Sequence, residues 1–143
     1  MLINTIINYN LNLMIPNKSI KVSLDAKNLD TEAQVEEVKK GEYLLTLGRD
    51  FLQNGTVFAL IQAVSHECVH IAQFVTGINN CEVLEGIEYY FSPDEIQARG
   101  LERALAEGFY FAYDIEYIEA QPLSEAILKW NPNRKNVLEF PKK

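Results

Sequence analysis

Histidine is scarce in this chain, with two in 143 residues, His66 and His70. Any function that needs several imidazoles in one place is therefore excluded unless those two supply it. Cysteine is as rare. Cys68 and Cys81 are too few for a disulfide framework, and a reducing, cytoplasmic setting is the expectation. Basic residues are outnumbered, 13 against 20 acidic ones, for a formal charge of −7 and a pI near 4.8. That removes the basic footprint with which nucleic-acid binders hold phosphates, so no nucleic-acid partner is expected. No run approaches the roughly 20 apolar residues of a membrane span. The apolar start Met1-Leu2-Ile3-Asn4-Thr5-Ile6-Ile7-Asn8 has no basic leader, is interrupted by asparagines and shows no small-residue cleavage site. These absences point to a soluble protein outside the usual secretory route, with no membrane partner. Repeats, low-complexity tracts and linkers are missing too. With 48% hydrophobic and 23% charged residues, the length suits a single domain over 1–143 around one core, its tail from about 131 to 143 loosely ordered.

The periodicities that are present suggest an α+β chain. Leu2, Ile3, Ile6, Ile7, Leu11 and Met14 predict a short amphipathic helix over residues 2–14, although its asparagines are poor helix formers. Ile20-Lys21-Val22-Ser23-Leu24 alternates as a half-buried strand does, and residues 26–31 read as a loop. Residues 33–38 and 43–48 flank Lys39-Lys40-Gly41-Glu42 and read as a hairpin with a glycine in its turn. The alternative is a helix over 31–40, whose glutamates and lysines favour one. After Asn54-Gly55-Thr56 comes a long helix to about residue 76, with Gly77 as its stop. Its apolar stripe is Val57, Leu60, Ile61, Val64, Cys68, Ile71, Ala72 and Val75. Residues 78–91 read as a connection with short pieces near 83–84 and 87–91. Ser92-Pro93-Asp94-Glu95 then has the marks of a helix start: serine as N-cap, proline first, acids in the first turn. Gly108 either ends this helix or lies within a longer one. A last short helix is expected from Pro122 to about Trp130.

Chemistry concentrates in Ser65-His66-Glu67-Cys68-Val69-His70. Histidines four apart on a helix stand on one face, one turn apart, where they can share an ion. Here they fall nearly opposite the apolar stripe, with Ala59, Ala63 and Gln73 as neighbours, whereas a histidine pair merely filling the core should lie within the stripe. A glutamate beside the first can act as general base on water held by the metal. A catalytic zinc takes three protein ligands and keeps one open position, and with no histidine left the third ligand should be a carboxylate. Glu95 is the candidate, in the first turn of the next helix and followed by the small Ala98, which lets two helices approach. Ser92-x-x-Glu95 is also a capping box, which would turn that carboxylate back to the backbone. Asp94, Glu88, Glu85 and Glu102 remain alternatives. Gln73 stands open between bonding a neighbour of the site and a surface position. Cys68 and the aromatic run 109–117 read as core.

His66-Glu67-Cys68-Val69-His70, a connection, then Glu95-Ile96-Gln97-Ala98 resembles the gluzincin branch of zinc metallopeptidases in its minimal single-domain form, over roughly residues 20–107. The resemblance implies a zincin-like α+β fold: a small antiparallel or mixed sheet packed on the motif helix, followed by a C-terminal helical part. It implies one Zn2+ on His66, His70 and Glu95, with Glu67 as general base. The substrate it implies is a peptide or protein, cleaved internally rather than from an end, with residues 43–48 as the edge strand that receives it. The oxyanion-stabilising residue stays open among Tyr89, Tyr90, Tyr110, Tyr113 and Arg99. Two rivals are a catalytically quiet zincin-like binding module and a peptidase masked by its own C-terminal segment.

Overall fold

The computed structural model describes residues 2–77 and 92–113, and the backbone of 136–140. Helix α1 (Leu2–Met14) leads into strand β1 (Ile20–Lys27), then β2 (Ala33–Lys39) and β3 (Glu42–Gly48). A short α2 (Arg49–Asn54), the long α3 (Val57–Thr76), α4 (Pro93–Ala112) and a last strand β4 (Asn136–Phe140) follow. No helix among the described residues is long and apolar enough to cross a membrane. The helix expected at 122–130 and the pieces at 83–91 lie outside the described residues.

The sheet is mixed, in the order β2-β3-β1-β4. β2 and β3 form the expected antiparallel hairpin, its turn closed at Gly41 with φ +84°, a backbone conformation glycine adopts without strain. Between Glu37 and Lys39 the ladder shifts register, which leaves Val38 as an exposed extra residue. β1 runs parallel to β3, pairing Val22 with Tyr43 and Leu24 with Leu45. β3 therefore has a neighbour on each side. The reading of 43–48 as an edge strand is overturned: the edge is β2, and β3 carries the buried Tyr43, Leu45 and Leu47 that an inner strand needs. β1 also continues through Lys27, into the stretch read as loop, because its pairing with β3 extends to Gly48. Residues 136–140, in the part read as a loosely held tail, pair with β1 as β4.

The core lies where β1, β3, α1 and α3 meet. α1 contributes Ile3, Ile6, Ile7 and Leu11, the i, i+3, i+4 stripe that made it legible. Its Asn10 is buried as well, and the amide Nδ2 donates to the Ser65 hydroxyl of α3 at 2.9 Å. α3 contributes Leu60, Ile61, Val64, Cys68 and Ile71. Burial pushes the Cys68 thiol far above its usual range, so it is an inert core residue. α4 runs unbroken through Gly108, where Tyr9 of α1 packs against the missing side chain, and its far end lays Phe109 into the core.

Candidate metal centre

Helix α3 begins at Thr56, whose hydroxyl accepts the Ala59 N–H at 3.2 Å, and ends at Gly77 in the left-handed conformation. Packing of its apolar stripe into the core fixes the rotation of the helix, and with it the direction of His66 and His70. The face opposite the main stripe is not open to solvent. It packs on α4, where Val69, Ala98 and Leu105 form a second small apolar cluster. Fully buried Ala98 has no bulk to hold the helices apart.

That close approach delivers Glu95, which is 1% exposed, to both imidazoles. Its Oε2 lies 3.1 Å from His66 Nε2 and its Oε1 lies 3.1 Å from His70 Nε2, while the two Nε2 atoms stand 3.3 Å apart. His66, His70 and Glu95 thus converge on one point and could hold a metal ion. The Ser92 side chain makes no capping bond, and the Glu95 carboxylate faces the histidines rather than the helix end, so the capping-box alternative fails. Asp94 offers its main-chain carbonyl elsewhere, and Glu85 and Glu88 lie outside the described residues.

Glu102 is beside the site in a different place. Its Oε1 accepts from His66 Nδ1 at 2.6 Å and its Oε2 accepts from the Gln62 amide at 2.7 Å. On the other ring, His70 Nδ1 lies 2.7 Å from Gln73 Oε1. Each Nδ1 thus has an oxygen acceptor, which leaves the Nε2 lone pairs directed at the common point. Gln62 was missed in sequence and Glu102 was seen only as a rival ligand. Helical spacing was the available signal: Gln62 lies one turn before His66, and Glu102 two turns after Glu95.

A cavity of about 270 Å³ opens on this cluster, with Ala59, Ala63, Arg99, Glu67 and the Thr31–Ala33 entry to β2 in its walls. Glu67 is only 8% exposed, and no hydrogen-bond donor reaches its carboxylate among the described residues. Burial first, then the charges of Glu95 and Glu102, push its carboxyl up to about 8. Glu32, at the mouth, is raised by burial and by Glu102, with His66 opposing. Of the described oxyanion candidates, Arg99 alone lines the cavity, and its Nε donates to Glu95 Oε2 at 3.0 Å. Tyr110 stacks on Phe58, and Tyr113 packs on Tyr9 and Phe109. Tyr89 and Tyr90 lie outside the described residues.

No protein-family model, curated protein or solved structure matches this chain. The site stands on its own geometry.

Proposed function

We propose that the chain is a zinc-dependent metallopeptidase that cleaves peptide bonds within a chain, with His66, His70 and Glu95 as ligands and Glu67 as general base. The observation that carries this reading is Glu67: a carboxyl group nine-tenths buried, without a donor among the described residues, on the wall of the cavity that His66 and Glu95 of the cluster also line. A merely structural glutamate at that depth would be paired, because burying an unpaired charge is costly.

Zinc is the ion that suits the donor set, two imidazoles and one carboxylate with a fourth position left open. The two Nε2 atoms stand 3.3 Å apart and each lies 3.1 Å from a different oxygen of the Glu95 carboxylate, close enough for one ion to be shared. When bound, the ion supplies Lewis acidity, polarising a carbonyl and making water nucleophilic at neutral pH. Glu67 takes the proton from the attacking water and returns it to the leaving amine. A dication nearby favours its ionised form and draws its pKa down from about 8, so that the base is available at neutral pH. Arg99, which lines the cavity while bonding Glu95, is the candidate to stabilise the developing oxyanion. Thr31 and Ala33, at the start of β2, line the cavity beside the end of the β2-β3-β1-β4 order, where an extended substrate could lie along the sheet.

The test has two parts. The purified protein should bind close to one equivalent of zinc and cleave a quenched fluorescent peptide library. Glu67→Gln should keep the zinc and lose about 10²–10⁴-fold in rate. Zinc binding without hydrolysis by the parent protein favours the quiet binding module. Equal rates for parent and variant remove Glu67 from the chemistry.

A further inference from the structure

Gln73 closes α3 one turn beyond His70, and it is 2% exposed. A buried amide has one acceptor oxygen and two N–H donors to satisfy. Its Nε2 lies 2.9 Å from the Asp94 main-chain oxygen and 2.7 Å from Gln97 Oε1, and its Oε1 lies 2.7 Å from His70 Nδ1. A main-chain carbonyl only accepts, so the NH2 group must face Asp94, and Oε1 must then face the ring. That orientation requires the proton on His70 Nδ1 and leaves the lone pair on Nε2. One side chain therefore fixes the tautomer of one ligand and grips the backbone next to another, Glu95.

We propose that Gln73 is a positioning residue that locks His70 and the first turn of α4 together, so that the two ligands from different helices are placed by a single amide. The inference rests on the metal reading of the site. It also accounts for a neutral group here where His66 has the carboxylate of Glu102. Glu67, Glu95 and Glu102 already share the centre, and a fourth buried acid would add repulsion and supply no donor for Asp94.

Two variants separate the halves of the lock. Gln73→Met removes the acceptor and both donors; Gln73→Glu keeps an acceptor for His70 and loses the donors. Zinc affinity is read by chelator competition. The imidazole N–H protons of the zinc-loaded protein are read by NMR, where only two histidines contribute. Gln73→Met should weaken zinc binding about 10–100-fold and expose the His70 Nδ1 proton to rapid exchange, while that of His66 stays protected. Gln73→Glu should keep the His70 proton protected and speed amide exchange over residues 94–98. A Gln73→Met variant that binds zinc as the parent does, or that leaves the His70 proton protected, overturns the proposal. A parent that binds no zinc overturns it together with the proposed function. A parent that shows this pattern yet cleaves no peptide sustains the lock and removes only the hydrolytic reading.

Discussion

Glu67 illustrates how little a residue's neighbours in sequence say about its state. Its adjacent histidine makes it a candidate base; its proton affinity comes from burial and from the charges of Glu95 and Glu102 on α4. This gives a prediction for the metal-free protein. The folded carboxyl titrates near 8, whereas the unfolded one keeps its ordinary value of 4.5. Between those values the folded state holds a proton that the unfolded state does not, so stability present below pH 4.5 is lost as the pH rises toward 8. Urea unfolding in chelator should show the parent weaker at pH 8 than at pH 5, and Glu67→Gln should flatten that difference. An unchanged slope in the variant would show that the carboxyl is not held protonated. Glu32, also raised, adds a smaller dependence of the same sign that the variant retains. The three residues that could hold an ion were legible because each needs only helical geometry: two histidines one turn apart, and an acid in a first turn. The place of Glu102 beside His66 was not, because it depends on how α3 and α4 face each other; Gln73, three residues from His70 on the same helix, was left open between a contact at the site and a surface position.

Helix α3 carries two of the three clustered residues, and its caps set where it begins and ends. Thr56 and Gly77 were both legible, one as punctuation before the apolar stripe and one as the stop after it. Thr56→Ala removes the bond to the Ala59 N–H and should cost about 1 kcal/mol of stability. Gly77 has φ +78° and open space around its missing side chain, so Gly77→Ala should cost about 1–2 kcal/mol through backbone strain alone. Thermal unfolding of the two variants checks both, and a neutral Gly77→Ala would show that the helix end relaxes without cost. Elsewhere, element-level reading stopped at nonlocal pairing. Nothing within residues 43–48 says which strand lies on their other side, and the parallel partner β1 is what turns that strand from edge to interior. The six-residue α2 is too short for a periodic signal, and it packs Leu52 and Phe51 onto a core assembled by other elements.

Across the molecule, α4 is held in two unlike ways. Its C-terminal half places Ala106, Phe109 and Tyr110 in the main core. Among the described residues, its N-terminal half meets α3 through the small contact of Ala98 with Val69 and otherwise through polar contacts of Asp94, Glu95, Gln97 and Glu102. An ion shared by His66, His70 and Glu95 is therefore a cross-link between α3 and the weakly held half of α4. Ligand binding stabilises the state that binds it, by about 2.7 kcal/mol when the free ion is at 100 times its dissociation constant. Without an ion, the charge of Glu95 acts on Glu67 and is offset by Arg99 alone among the fixed cations described there, so the first turns of α4 should open before anything else does. Hydrogen exchange followed by mass spectrometry, with and without chelator, should show faster exchange over residues 93–98 and little change over α1, β1 and β3. Added zinc should restore the protection. Uniform loosening of the whole chain would mean that the core itself depends on the ion, and no change over 93–98 would mean that the polar contacts hold α4 without it.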